Sequence, residues 1–217
     1  MLVYDRMSRH PITVNPDVPI DEALHIMREN KVRRLPVVDK QGKLVGIVSE
    51  KDLLYASPSP ATSLSIHEIH YLVSKIKVAD VMTKEVITVG ENAPLEEAAR
   101  IMADHKIGGL PVMRDGTLVG IITETDLFKI FLELLGAREE GVRLTMLIPE
   151  RPGTLATITR NIAEMGGNIV SLGTFLGEDP TNRLITVKVA GVPQEELVRN
   201  MTALGMEIVD ARMCQRC

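Results

Sequence analysis

The chain has 217 residues, of which 45% are hydrophobic and 25% are charged, and its formal net charge is −4. This composition is ordinary for a globular protein with a packed core. The mildly acidic balance argues against nucleic acid as the main partner, because phosphate binding favours a basic surface. Three Tyr, three Phe and no Trp are also too few aromatic residues for a base-stacking platform.

The chain shows no signal for export or for membrane insertion. Its first residues, MLVYDRMSRH, lack the apolar stretch of a signal peptide, and no run of about eighteen apolar residues occurs. We therefore expect a cytoplasmic protein that does not bind a membrane. Cys214 and Cys217 form a C-x-x-C pair that is read as an exposed tail. Half of a zinc site shared across a dimer, or a redox pair, are the alternatives.

The chain contains an internal duplication, in which residues 7–53 are repeated as residues 82–127. Identical residues occur throughout the two copies, and one turn is a residue shorter in the second copy. Duplicated folds tend to pair about a pseudo-twofold axis, so we expect two related clefts at the seam between the copies. Matched pairs include Ile12/Ile87, Thr13/Thr88, Pro36/Pro111 and Asp52/Asp126.

Each copy predicts the element order β-α-β-β-α. A short Ile-Thr-Val strand (residues 12–14 and 87–89) precedes a proline and a helix with apolar residues at helical spacing. A second strand around Leu-Pro-Val, a glycine turn and an apolar third strand follow, and a last helix closes the copy. A unit of about fifty residues is small for an isolated domain, so the two copies should share a core.

The regions outside the copies have their own patterns. Residues 57–63 predict a polar, proline-rich loop, and the apolar spacing of residues 66–76 predicts a linker helix. Residues 142–213 predict the order β-α-β-β-α-β, which is the ferredoxin-like order. The expected fold class is therefore α+β, with domains at 1–60, 78–135 and 142–217, a linker helix at 61–77 and a linker at 136–141.

One short motif is placed to carry binding chemistry, and it occurs twice. Gly-Ile-Val-Ser-x-x-Asp at residues 46–52 is repeated as Gly-Ile-Ile-Thr-x-x-Asp at residues 120–126. The strand delivers a hydroxyl to a helix start, where free backbone N–H groups favour phosphate. The carboxylate three residues later can accept hydrogen bonds from both hydroxyls of a ribose. The alternative is a capping box, in which the two side chains only satisfy backbone donors of the helix.

With this motif, the Met-Thr/Ser-x-x-x-Ile-Thr-Val segment and the Leu-Pro-Val strand, residues 1–135 resemble a tandem pair of CBS domains. The resemblance implies one module whose clefts bind an adenosine nucleotide such as AMP, ADP or ATP. It implies that Asp52 and Asp126 hold the ribose and that Ser49 and Thr123 meet the phosphate. It places adenine among residues near the first and second strands, namely Ile12, Thr13, Val32, Pro36, Ile87, Thr88, Ile107 and Pro111.

The copies differ where Arg33-Arg34 of the first corresponds to Gly108-Gly109 of the second. An arginine pair beside a cleft favours polyphosphate, whereas glycines allow close backbone approach without adding charge. We expect the cleft nearer Arg33 to prefer the more highly charged nucleotide. The alternative is that the arginines lie on a solvated strand edge.

Residues 142–217 resemble an ACT domain through Arg151-Pro152-Gly153 and Gly167-Asn168-Ile169. The resemblance implies a small ligand, often an amino acid, near Gly153, Asn168 and Ile169. Serine-binding members of that family carry a His and an Asn where this chain has Ile148 and Glu150. A domain that only dimerises is therefore an open alternative.

The order of these domains is similar to that of acetoin-utilisation regulators, which implies control of a metabolic enzyme. We expect no enzyme activity, because no catalytic constellation is present, and no metal, because His67 and His70 lack a third ligand nearby. The expected partners are a nucleotide, a metabolic enzyme and a second copy of the chain, which contacts faces such as that of Phe128, Phe131 and Leu135. The alternatives are an amino-acid sensor and a scaffold that binds no nucleotide.

Overall fold

The computed structural model describes residues 1–56 and 74–215. The predicted loop 57–63, most of the predicted linker helix, both His67 and His70, and Cys217 lie outside the described residues. The chain divides into two compact units, residues 1–127 and residues 128–217, and each is described by itself.

The first unit contains both copies of the duplication. The part before residue 57 contains α1 (Val3–Arg6), β1 (Ser8–Arg9), α2 (Ile20–Glu29), β2 (Arg34–Val38), β3 (Leu44–Ser49) and α3 (Glu50–Ala56). The part from residue 74 contains α4 (Val78–Val81), β4 (Val89–Gly90), α5 (Leu95–His105), β5 (Gly109–Arg114), β6 (Thr117–Thr123) and the start of α6 (Glu124–Leu134), which continues into the second unit from Phe128. The predicted α+β class is confirmed.

The long helices of the two copies, α2 and α5, begin and pack in the same way. Pro19 and Pro94 precede them in extended conformation, where the absence of a proline N–H costs nothing. Each helix then buries one face at helical spacing, which is what the apolar pattern predicts. The buried residues are Ile20, Ala23 and Met27 in α2 and Leu95, Ala98 and Met102 in α5.

The segment that precedes each copy packs against the other copy. The segment before the first copy packs on the second copy: β1 pairs antiparallel with β6, and the Val3 N–H donates to the Ala93 carbonyl at 2.9 Å. The segment before the second copy packs on the first copy: the Thr83 N–H donates to the Ile47 carbonyl at 2.9 Å, and Val78 is fully buried in the core of the first copy. The chain therefore crosses between the copies near residues 9–12 and again near residues 84–87. The sequence pattern does not predict this exchange.

Glycine permits the exchanged segments to approach so closely. A Cβ at Gly120 would lie 2.4 Å from Sδ of Met7, and one at Gly46 would lie 2.4 Å from Sδ of Met82. These are the glycines that open the two Gly-Ile-Val/Ile motifs. Their small size is therefore explained by strand pairing across the copies.

The two small sheets share one strand order. The second copy forms the four-stranded sheet β1-β6-β5-β4. The first copy has only β2 and β3 as full strands, with single bridges from Thr83 to Ile47 and from Val14 to Val37 at the equivalent edges. The predicted strand at 12–14 is thus reduced to one bridging residue, because the crossing segment continues directly into it.

The second unit has the predicted ferredoxin-like order. The elements are β7 (Gly141–Pro149), α7 (Thr154–Glu164), β8 (Asn168–Leu176), β9 (Asn182–Ala190), α8 (Gln194–Ala203) and β10 (Glu207–Cys214). The sheet has the strand order β10-β7-β9-β8 with antiparallel pairing, and Leu144, Ile158, Val187 and Leu197 are fully buried in the core of the unit. Cys214 ends the edge strand and pairs with Gly141, so it is not in a free tail.

The sheet of the second unit is also anchored to the segment that precedes it. Lys188 of β9 is 3% exposed. Its Nζ donates to the carbonyl oxygens of Gly136 at 2.7 Å and Glu139 at 3.0 Å. Thr145 and Thr186 hydrogen-bond to each other at 3.0 Å and are also buried. The predicted linker at 136–141 is therefore fixed onto the sheet by a buried ammonium group.

Gly141→Ala should destabilise the second unit by about 2 kcal/mol, because a Cβ there would lie 2.7 Å from the Val189 carbonyl oxygen. The measurement is urea unfolding followed by circular dichroism. Gly90→Ala is the control, since a Cβ at Gly90 meets nothing within 4 Å. Equal unfolding midpoints for the two variants would contradict the expected clash.

Candidate functional site

The two motif hydroxyls and carboxylates form the same hydrogen bonds at the starts of α3 and α6. Oδ2 of Asp52 accepts from the Ser49 N–H at 2.8 Å and from Ser49 Oγ at 2.6 Å. Oδ2 of Asp126 accepts from the Thr123 N–H at 3.0 Å and from Thr123 Oγ1 at 2.7 Å. Both pairs are half-buried. The capping interpretation therefore describes the local geometry, and it occupies one oxygen of each carboxylate.

Each motif also lines a cavity to which both copies contribute. A cavity of about 540 Å³, here named the Asp126 cavity, is lined by Thr123 and Asp126 together with Ile12, Val32 and the crossing segment from Ser8. The wall opposite the motif thus belongs to the other copy.

A second cavity of about 460 Å³, here named the Asp52 cavity, repeats this arrangement with the copies interchanged. Ser49 and Asp52 of the first copy share it with Ile87 and Ile107 of the second, and the crossing segment contributes Thr83. Both volumes lie within the ordinary range for small-molecule sites. The exchange of N-terminal segments is the reason that each cavity has walls from both copies.

Four of the residues expected beside adenine do not line these cavities as the structure describes them. Pro36 and Pro111 are buried in the middle of β2 and β5, where they pair with Ile47 and Ile121. Thr13 and Thr88 are half-buried and line neither cavity. The residues that bound the cavities are instead their apolar neighbours Ile12, Val32, Ile87 and Ile107.

The structure brings charged residues into both cavities that sequence reasoning missed. Lys31 and Lys106 occupy matched positions before the second strands, and both have positive φ angles of 54° and 55°. The signal that could have found them is the identity of this lysine in both copies, where it follows the long helix. The further charged lining residues are Arg9 and His10 in the Asp126 cavity, and Glu50, Lys51 and Glu85 in the Asp52 cavity.

Arg33 and Arg34 line both cavities, so the expectation that one cleft is nearer Arg33 is corrected. A Cβ at Gly108 would lie 2.0 Å from Nη2 of Arg34, and one at Gly109 would lie 3.4 Å from its Cδ. The arginine pair therefore lies at the seam, in space that side chains at the matched positions of the second copy would fill. Glycine in the second copy makes room for arginine of the first.

The two cavities differ in their carboxylates rather than in their number of cationic side chains. Among the described residues, both are lined by four Lys or Arg side chains, two of which are the shared pair. The Asp126 cavity has Asp126 as its one lining carboxylate, whereas Glu50 and Glu85 join Asp52 in the other. The Asp126 cavity is thus the more electropositive of the two.

The residues expected to bind an ACT ligand are separated in the second unit. Asn168 and Ile169 line a cavity of about 660 Å³ together with Lys129, Leu132, Glu133, Gly136, Arg138, Glu139 and Val170. Gly153 precedes α7 with a φ angle of 89° and does not line this cavity. Its positive φ favours glycine for a backbone reason alone.

Within residues 1–56 and 74–215, no group of three or more His, Cys, Asp or Glu side chains is placed to hold a metal ion. None of the helices in these ranges has the length and apolar character needed to cross a membrane.

The CBS domain family matches residues 3–59 and 78–133, which together are just over half of the chain. The chain belongs to the CBS domain family. The TTHA0829-like ACT domain family matches residues 140–212. The resemblance of the chain to a CBS pair followed by an ACT domain is confirmed.

Relatives of the chain share mainly its CBS pair. A CBS domain-containing protein of Dictyostelium discoideum is 35% identical over 136 residues, which are 62% of this chain and 94% of the relative. Inosine-5'-monophosphate dehydrogenase of Korarchaeum cryptofilum is 36% identical, but the match covers 63% of this chain and only 25% of that enzyme.

Three solved structures resemble the chain with TM-scores of 0.50–0.52. A Vibrio cholerae protein named for acetoin utilization (AcuB) is 38% identical and covers 63% of this chain and 93% of its own. The CBS domain pair of protein MJ0100, in complex with 5'-methylthioadenosine and S-adenosyl-L-methionine, is 33% identical, with coverage of 64% and 98%. CBSX2 of Arabidopsis thaliana, in complex with AMP, is 36% identical, with coverage of 60% and 96%.

Asp52→Ala and Asp126→Ala should each lower the free energy of unfolding by about 1 kcal/mol, because each removes an acceptor at a helix start. Urea unfolding of the ligand-free protein measures this. The control is Asp104→Ala, which removes an exposed ion pair with Arg100 and should change stability by less than about 0.5 kcal/mol. Motif variants as stable as this control would show that the capping bonds contribute nothing.

Proposed function

We propose that the first unit is a regulatory sensor that binds adenosine nucleotides in the Asp126 and Asp52 cavities. The observation that carries this proposal is the repeated arrangement of each cavity. A carboxylate and hydroxyl at a helix start lie on one wall, and apolar and cationic residues of the other copy lie on the opposite wall.

The ribose role is compatible with the capping role. Oδ2 of Asp52 accepts both capping hydrogen bonds. Among the described residues, no donor hydrogen-bonds to Oδ1 of Asp52, which is therefore available to a ribose hydroxyl. A carboxylate held in this way is already oriented, so binding loses little side-chain freedom.

The remaining parts of a nucleotide find matching surfaces. Ile12 with Val32, and Ile87 with Ile107, offer apolar faces for a purine base in the two cavities. Arg33 and Arg34 supply guanidinium groups, which bind phosphate through paired N–H donors. The adenosine ligands of MJ0100 and CBSX2 support this class of ligand.

Regulation follows from the shared lining. A ligand shifts a conformational equilibrium only if it binds the two states with different affinity. Because each cavity is bounded by both copies, a ligand inside contacts both, and its affinity depends on how they pack. The module would then report nucleotide level to a metabolic enzyme, and it is itself no enzyme.

The regulated process and the docking of a second copy are proposed from fewer observations. The similarity to the Vibrio cholerae protein supports acetoin utilization as the regulated process, and the cytoplasmic location stays a prediction of the sequence. The second copy of the chain would dock on exposed apolar residues of α6, since Phe128 and Phe131 are 67% and 48% exposed.

Calorimetric titration with AMP, ADP, ATP and S-adenosyl-L-methionine tests the sensor. We expect at least one to bind, and we expect Asp52→Ala and Asp126→Ala each to weaken binding at its own cavity by about ten-fold or more. The matched control is Asp80→Ala, because Asp80 accepts from the Lys77 N–H at 2.9 Å but lines neither cavity. The absence of binding by any of these ligands would leave the scaffold alternative.

A second candidate is an amino-acid sensor in the second unit. The cavity lined by Asn168 has both cations and carboxylates on its walls, as a zwitterion requires. Titration of the proteinogenic amino acids should then give a signal that Asn168→Ala reduces and that Asn161→Ala, in α7 and outside this cavity, leaves unchanged. No signal from any amino acid would favour an ACT domain that only dimerises.

A further inference from the structure

We propose that the two nucleotide cavities oppose each other, so that a phosphate-bearing ligand in the Asp126 cavity weakens a second such ligand in the Asp52 cavity. This inference rests on the proposed function, because it concerns the regulation of the same two cavities. It follows from one arginine pair that serves both.

The arginine pair that both cavities share comes from one copy. Arg33 and Arg34 come from the first copy, and the matched residues of the second copy, Gly108 and Gly109, bring no charge. The Arg34 guanidinium lies in the space that a side chain at position 108 would fill, because a Cβ at Gly108 would lie 2.0 Å from Nη2 of Arg34. Two cavities therefore have one guanidinium pair between them instead of a pair each.

Among the described residues, Arg33 and Arg34 form no ion pair; Oε2 of Glu124 lies beside Arg34, 2.6 Å from the Cβ position of Gly108, without pairing with it. Exposed arginines elsewhere form ion pairs, as Arg114 does with Glu91 and Arg183 with Glu150. The charge of Arg33 and Arg34 is thus available to a phosphate from either cavity. A phosphate that engages the pair neutralises it and orients its donors toward one side. The next phosphate then meets fewer donors and a less positive potential.

The order of filling follows from the carboxylates. Glu50 and Glu85 line the Asp52 cavity and repel phosphate there, whereas the Asp126 cavity has no counterpart to them among its described lining residues. The first phosphate-bearing ligand should therefore enter the Asp126 cavity. Adenosine carries no phosphate, so it should fill the two cavities independently.

Calorimetric titration of the full chain with ATP, and separately with adenosine, tests the coupling. Asp126→Ala disables the Asp126 cavity, so that the titration measures binding to the Asp52 cavity. Asp52→Ala does the reverse. In Asp126→Ala, the affinity of the Asp52 cavity for ATP should be higher by about 5-fold or more than the affinity of the same cavity when it fills second in the unaltered protein. For adenosine, the two values should agree.

Two further variants identify the charges responsible. Arg34→Ala should remove most of the difference between the two ATP values, while Arg28→Ala, on the exposed part of α2 and outside both cavities, should leave it unchanged. In the Asp126→Ala background, Glu85→Gln should raise ATP affinity several-fold and leave adenosine affinity unaltered.

The outcomes separate this inference from the function on which it rests. Two ATP sites that fill without mutual effect would overturn the coupling and leave nucleotide binding intact. Filling of the Asp52 cavity first would overturn the proposed order. No heat from ATP, from adenosine or from any ligand of the first titration would overturn the nucleotide sensor itself.

Discussion

The arrangement of the first unit depends on one constraint, the pairing of the segment before each copy with a strand of the other copy. Ser8 pairs with Ile121, and Thr83 pairs with Ile47. Glycine at positions 46 and 120 allows the close approach that this pairing needs. Because the chain must cross between the copies, the crossing segments necessarily pass the ends of the closing helices. The cavities form at those two crossings.

The same constraint relates stability to binding. A capping box and a ribose site are alternatives when only the sequence is considered. In the structure, the cap uses one oxygen of Asp52 and the cavity borders the same side chain. The folding energy of the helix start therefore positions the carboxylate before any ligand arrives. A binding residue that also caps a helix is held at no further cost when ligand binds.

Local pattern predicted the elements well. The prolines before α2 and α5 and the apolar spacing of both helices depend on neighbouring residues, and the structure has helices in those places. The predicted strand and helix order of the second unit is also present. The motif residues Ser49 and Asp52, and their counterparts in the second copy, line the cavity walls, and their roles toward ribose and phosphate stay predictions.

What the sequence could not predict were relations between distant segments. The pattern of one copy does not indicate whether its first segment pairs with a strand of its own copy or with a strand of the other copy, since both arrangements bury the same apolar residues. Arg33 was therefore assigned to one cleft although it borders two. The same limit explains why Pro36 and Thr13 are expected beside the purine base but do not line a cavity. Closeness in sequence to a strand end does not show which side of the strand faces the cavity and which side is buried.

Lys188 has a practical consequence for dissecting the chain. Its ammonium group is buried against the β-sheet and is satisfied by two carbonyl oxygens that precede the first strand. A recombinant fragment that starts at Val142 would discard both acceptors and leave a cation facing an uncovered sheet. The natural boundary of the C-terminal module for expression, grafting or crystallisation therefore lies before Gly136, several residues upstream of the first β-strand.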